Sequence, residues 1–212
     1  MERVEILPQT IFKFQSSDSL LKDTYEKVLE LSWRDNQLNS VSVDSYLHKS
    51  PAFQELYAWF DECILQVKRE VGYLCDQLKI TQSWANRTDQ SQAHHPHVHP
   101  NSVVSAIYYL NHASPTTFEI PSVWRTYYHS ETLDRLFQPG ESLELFLPQD
   151  FESVLHRIDA VPGTLLMFPS NLRHGVEDNP HEEARYTISF NTFPCGDIGN
   201  FRSLSGLRIE VL

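Results

Sequence analysis

At 212 residues the chain is long enough for one sizeable core, because a single all-β sandwich or barrel with flanking helices commonly occupies about 200–250 residues. Hydrophobic residues at 41%, aromatics at 12% and only 7 glycines exclude a disordered or low-complexity chain. The formal net charge of -11, uninterrupted by any Lys/Arg run, repels phosphates and anionic lipid, so neither nucleic acid nor a membrane is an expected partner.

The N-terminal stretch from Met1 to Phe14 carries no apolar export signal, and no later segment is apolar enough to span a bilayer, so a soluble, cytoplasmic protein is expected. A first helix is predicted from about Ser17 or Asp18, with Leu21, Tyr25, Val28 and Leu29 on one face. A second, longer helix follows Ser50 as N-cap and Pro51 as first residue. Its apolar face runs through Phe53, Leu56, Tyr57, Phe60, Ile64, Val67, Val71, Leu74, Cys75 and Leu78. Cys63, Cys75 and Cys195 form neither a Cys-x-x-Cys pair nor a disulfide framework, and a free thiol inside a helical apolar pattern usually fills core volume.

Beyond the helices the chain breaks into short apolar runs bounded by Pro, Asn, Asp and Gly, predicted as strands at 80–84, 103–110, 116–120, 143–147, 163–168 and 185–193. Such spacing suggests a sandwich or jelly roll. No repeat or linker divides the chain, so we expect a single domain over 1–212: an N-terminal strand and supporting helices to about 80, a β core over about 81–193, and an extension over 194–212. The segment 121–160, with Trp124, Tyr127, Tyr128, His129, Phe137, Phe146, Phe151 and His156, reads either as a lid or, slightly better, as an extra hairpin covering the sheet.

Four of the ten histidines fall in the run His94-His95-Pro96-His97-Val98-His99-Pro100-Asn101. Residues i and i+2 of a strand share a face, so His97 and His99 can present two imidazoles to one ion; His95 and His97 have the same spacing. Imidazole suits iron, copper, nickel and zinc alike, and histidine clusters on exposed loops also bind adventitious metal. A third ligand is therefore needed. His174, after the turn and strand of Val161 to Met167, supplies one. Eleven residues on, Arg185 opens a strand in which Arg185, Thr187 and Ser189 share a face, and an inward arginine in a β-barrel requires an anion.

This order resembles the 2-oxoglutarate and iron(II)-dependent oxygenases, particularly their prolyl-hydroxylase-like branch. His97-Val98-His99 stands where that branch has His-x-Asp, Ser105-Ala106-Ile107-Tyr108-Tyr109-Leu110-Asn111 where it has a Tyr-Tyr-Leu-Asn-like strand, His174 at the distal histidine and Arg185 at the co-substrate anchor. Trp84-Ala85-Asn86, His97 to Leu110 and Ser189 to Phe193 look like a small subfamily of oxygenases found in bacteria and marine phages. The resemblance implies a mainly β, double-stranded β-helix (jelly roll, cupin-like) with flanking helices. It further implies Fe(II) on His97, His99 and His174, and 2-oxoglutarate held by Arg185 with Tyr109 and Thr187. The implied reaction hydroxylates a C–H bond and releases succinate and CO2.

His99 departs from the pattern, because it replaces the family's carboxylate with a third neutral ligand. That leaves more of the ferrous charge to attract a dianionic co-substrate. Asn101 could substitute as ligand in another register, and His94 or His95 could stand outside the ligand set or in solvent. Two rival readings remain: a cupin-type three-histidine dioxygenase needing no 2-oxoglutarate, and a non-catalytic metal-stabilised binding module. The sequence names neither the prime substrate, small molecule or protein side chain, nor the oligomeric state.

Overall fold

The computed structural model describes residues 10–112, 114–120, 154–199, 201–203 and 205–210. In chain order these form β1 (Phe12–Gln15), α1 (Asp18–Leu29), β2 (Trp33–Asn36), β3 (Asn39–Ser42), two 3-10 turns (Leu47–Lys49 and Pro51–Phe53), α2 (Gln54–Val71), β4 (Cys75–Thr88) and β5 (His94–His97). There follow β6 (Val104–Tyr109), β7 (Ser114–Ile120), β8 (Val154–Ala160), β9 (Thr164–Pro169), β10 (Arg173–Val176), β11 (Arg185–Ile198), a 3-10 turn (Phe201–Ser203) and β12 (Leu207–Ile209). The expected strand at 143–147 and most of the aromatic-rich segment, 121–153, lie outside the described residues.

An eight-stranded sheet runs β1-β9-β6-β11-β4-β3-β2, with β12 on β11, and a four-stranded sheet runs β5-β10-β7-β8. Every pairing within them is antiparallel. The chain passes from the large sheet to the small one between β6 and β7 and again between β9 and β10, so the two sheets face each other in the expected double-stranded β-helix.

Burial follows from the strand period. Every residue of β6 is buried. Val104, Ala106 and Tyr108 point outward into a cluster with Leu56, Phe60, Ile64 and Val67 of α2, while Ile107 and Tyr109 point inward against Phe118, Leu166 and Phe168. The helices thus cover one face of the large sheet and the small sheet covers the other. A run such as Val-Ser-Ala-Ile-Tyr-Tyr shows no apolar/polar alternation because neither of its faces meets water. β8, inside the segment 121–160, pairs with β7 along its whole length, so that part is a strand of the small sheet.

α1 begins as expected, with the Ser17 hydroxyl accepting the Leu20 N–H at 3.3 Å. Its buried face is Leu20, Thr24 and Val28, whereas Leu29 is half exposed. α2 ends earlier than its apolar spacing predicts. Gly72 takes the left-handed conformation at φ 78 and its N–H closes on the Lys68 and Arg69 carbonyls. Leu74 is consequently exposed, and Cys75 and Leu78 belong to β4. Cys63, Cys75 and Cys195 are all free thiols. Among the described residues no helix is long and apolar enough to cross a membrane.

Candidate metal and co-substrate site

Strand register brings the first two imidazoles together. His97 ends β5, and its Cα is paired directly with that of His174 in β10. Their ring centroids are 4.5 Å apart. His99 lies past the end of β5, so it joins the cluster through the bend after the strand and not through the i, i+2 spacing of a continuous strand. Its main-chain N–H donates to the Ser170 carbonyl at 2.9 Å, which ties this bend to the turn between β9 and β10. One ligand atom from each of His97, His99 and His174 lies within 4.8 Å of the others, and the Nε2 atoms of His99 and His174 are 3.3 Å apart. His95 is exposed, and so is Asn101, at φ 58 in the following turn.

A β-bulge shapes this corner. Between the His97–His174 and His94–Val176 pairs, His95 and Pro96 stand opposite Gly175 alone. A Cβ on Gly175 would meet the His94 carbonyl oxygen at 2.9 Å and Pro96 N at 3.2 Å, both backbone atoms, so glycine is what lets the bulge lie against β10. The bend carrying His99 is held from below by hydroxyls. Ser170 Oγ donates to Ser102 Oγ at 2.7 Å, Ser105 Oγ lies 2.8 Å from Ser170 Oγ, and Ser105 also donates to Asn191 Oδ1 at 2.8 Å.

The ring tautomers follow from the acceptors. His97 Nδ1 is 2.8 Å from the His95 carbonyl and His174 Nδ1 is 2.9 Å from the Leu172 carbonyl. A carbonyl only accepts, so Nδ1 carries the proton in both rings and Nε2 presents its lone pair. That arrangement, with Nδ1–H fixed by a carbonyl, is how metal-binding histidines are usually oriented. The lone pair of His174 Nε2 then faces His99 Nε2, a contact that needs a proton or a cation between them. Nitrogens bonded at about 2.1 Å lie about 3 Å apart around an octahedral ion, so the His99–His174 spacing is that of two ligands of one metal.

Burial and the neighbouring imidazoles keep the rings neutral. Burial, then His97, pushes His99 down to about 4, while burial takes His174 down to about 3 against the opposing Leu172 hydrogen bond. His97 is lowered as well, again chiefly by burial. Phe168, 4.5 Å from the His174 ring, and Phe118, 6.1 Å from it, form the apolar wall responsible.

The metal-free protein therefore has a predictable acid sensitivity. As pH falls from 6.5 towards 4, unfolded histidines take up protons that the folded His99 and His174 refuse, so stability falls with pH in this window and is flat above it. Each of the two histidines contributes on the order of 2–3 kcal/mol over this window. Urea unfolding of the apo-protein across this range, compared with His174→Gln, measures it. The wild-type slope should exceed that of the variant, and equal slopes would contradict the assignment.

Arg185 begins β11 on its inner face and is 2% exposed. Its Nη1 donates to the Glu177 carbonyl at 3.0 Å. Nearby, Glu177 pairs with Arg157 at 3.2 Å and Glu183 with His112 at 3.2 Å. Thr187 stands opposite Tyr109 on one side and Asn86 on the other. Thr187 Oγ1 accepts from Asn86 Nδ2 at 3.3 Å, leaving its own proton for another acceptor. Tyr109 is fully buried, hydrogen-bonded to Thr116, and burial pushes its phenol up to about 12, so the phenol keeps its proton. The sequence reading passed over Gly175, Asn86 and the Ser102–Ser105–Ser170–Asn191 set. Of these, Asn191 carries a signal, as the last of the alternating polar residues Arg185, Thr187, Ser189 and Asn191 in β11.

A separate cavity of about 410 Å³ lies between α2 and the first half of β4, lined by His48, Tyr57, Asp61 and Lys68 among others. None of the clustered histidines borders it.

A double-stranded β-helix with three imidazoles converging on one point and a buried arginine on the facing sheet is an arrangement suited to a non-haem metal oxygenase. A family model described as "Putative 2OG-Fe(II) oxygenase" matches residues 82–191, just over half of the chain. The chain belongs to this 2OG-Fe(II) oxygenase family. No curated protein matches it in sequence. Solved structures share the fold at low identity. HygX from Streptomyces hygroscopicus, crystallised with nickel, 2-oxoglutarate and hygromycin B, is 14% identical with TM-score 0.63, covering 88% of this chain and 83% of its own. A Pseudomonas putida prolyl-4-hydroxylase is 13% identical with TM-score 0.55, covering 89% and 94%. A prolyl hydroxylase from Trichoplax adhaerens, in complex with a hypoxia inducible factor oxygen degradation domain peptide fragment, is 15% identical with TM-score 0.57, covering 87% and 83%.

Proposed function

We propose that His97, His99 and His174 hold one ferrous ion, that Arg185 binds the distal carboxylate of 2-oxoglutarate with Tyr109 and Thr187 beside it, and that the enzyme hydroxylates a C–H bond. The observation carrying this reading is the convergence of three imidazole donors within 4.8 Å in a chain of this family. When bound, iron and 2-oxoglutarate supply the oxidation itself, coupling decarboxylation to succinate and CO2 with oxygen transfer to the substrate.

The protein's own residues orient and shield. The His95 and Leu172 carbonyls fix the imidazole tautomers, so the Nε2 lone pairs face a single point. Arg185 offers a charge whose solvation has already been removed by folding, so a carboxylate meets it in a low-dielectric setting. Phe118 and Phe168 exclude water behind His174, whereas His97 and His99 remain partly exposed. The substrate therefore enters from their side. It is a small molecule or a protein side chain, the two classes present in the HygX and Trichoplax complexes. Free thiols and acidic charge suit a reducing, cytoplasmic setting.

Oxygen uptake and succinate release, measured with and without 2-oxoglutarate, test the reading. Iron-loaded protein should consume oxygen only when 2-oxoglutarate is present and release succinate as it does so. Uptake independent of 2-oxoglutarate would favour the cupin-type dioxygenase, and an inert, non-exchanging metal would favour the binding module.

A further inference from the structure

β5 carries one more inward imidazole than a three-ligand site uses. The bulge opposite Gly175 turns His95 and Pro96 outward and leaves both His94 and His97 partly buried on the inner side. The His94 ring meets that of His97 edge to face, with centroids 4.4 Å apart. Yet His94 does not belong to the group of converging donor atoms, which comprises His97, His99 and His174.

Its hydrogen bonding also sets it apart. His97 and His174 commit Nδ1 to main-chain carbonyls. Among the described residues, no hydrogen bond engages either ring nitrogen of His94, so an N–H donor and a lone pair remain available beside the cluster. In register, His94 is paired with Val176, the neighbour of Glu177, whose carbonyl accepts from Arg185 Nη1 at 3.0 Å, so β5 brings His94 to the end of β10 that meets Arg185. A dicarboxylate between a metal on the three histidines and Arg185 therefore passes His94.

We propose that His94 is a co-substrate-binding residue whose imidazole N–H donates a hydrogen bond to the metal-side carboxylate of 2-oxoglutarate, complementing Arg185 at the distal one. This rests on the metal and co-substrate assignment made above. An imidazole N–H in this position supplies directionality without adding charge next to the ion, which a lysine or arginine there would do.

Anaerobic titration of the iron-loaded full chain with 2-oxoglutarate, followed by the visible charge-transfer band of the chelated keto acid, tests it in the wild type, His94→Phe and His94→Gln. Iron content is measured alongside. Phenylalanine keeps the edge-to-face packing on His97 but removes both nitrogens; glutamine keeps a donor. Expected are unchanged iron stoichiometry in both variants, 2-oxoglutarate binding weakened by about tenfold in His94→Phe, and a loss of no more than about threefold in His94→Gln. Full affinity in His94→Phe overturns the role of His94 alone. Iron lost from His94→Phe also overturns it, by making His94 a ligand. A wild-type protein that binds iron yet gives no band overturns the parent assignment, and this one with it.

Discussion

Arg185→Gln should weaken 2-oxoglutarate binding by on the order of 2–5 kcal/mol, roughly thirty- to several-thousand-fold, while iron remains bound. The size of the effect comes from burial. Arg185 is 2% exposed, and burial is the main force lowering its pKa, opposed by the nearby Tyr109 and Asp178. A charge already stripped of water gains more from a carboxylate than a surface arginine does, and removing it leaves the incoming carboxylate desolvated without a partner. Glutamine preserves part of the volume and a donor for the Glu177 carbonyl, so the loss reports the charge and not a collapsed strand. Arg185→Lys should recover only part of it, since an ammonium lacks the planar fork that binds a carboxylate through two parallel hydrogen bonds. Anaerobic calorimetry of the iron-loaded variants gives the comparison. Unaltered affinity in Arg185→Gln would move the anchor elsewhere on the inner face.

Much of this site was readable in one dimension because its chemistry depends on residue type. Histidine at 97, 99 and 174 and arginine at 185 are informative wherever they fall, and the turn residues between them mark strands. The route by which they meet was less legible. The i, i+2 rule brought His97 and His99 forward as a pair on one strand, whereas His99 sits beyond the strand and is placed by the Ser170 carbonyl. Such a bond between distant main-chain atoms leaves no mark on composition. Gly175 was equally silent, because a glycine needed for close approach to His94 and Pro96 looks the same as one in any turn.

Elsewhere tertiary context overrode local pattern. Val71, Leu74, Cys75 and Leu78 continue the helical spacing of α2, but Gly72 turns the chain and β4 takes the later residues into twelve Cα pairings with β11. The β2–β3 hairpin, Trp33-Arg34-Asp35-Asn36 against Asn39-Ser40-Val41-Ser42, is too polar to announce itself, and it turns through Gln37 at φ 28 without the glycine that marks most tight hairpins. β10 is four residues long, Arg173-His174-Gly175-Val176, and is a strand only because β5 and β7 flank it.

The three-histidine site is the central claim, and His99 is the residue on which it turns. Its bend is held by a main-chain hydrogen bond to Ser170 and by hydroxyls from other residues, so a side-chain substitution removes the ligand without moving the loop. His99→Ala should therefore lower ferrous affinity by more than about a hundredfold, beyond the 10–100-fold loss typical when a partner that merely orients a ligand is removed. His99→Asp, which restores a two-histidine, one-carboxylate set, should stay within about tenfold of wild type and keep 2-oxoglutarate turnover. Anaerobic iron titration of the wild type and the two variants is the most direct test. The predicted result is a single tight ferrous site in the wild type, retained in His99→Asp and lost in His99→Ala; wild-type affinity in His99→Ala would contradict the three-histidine assignment.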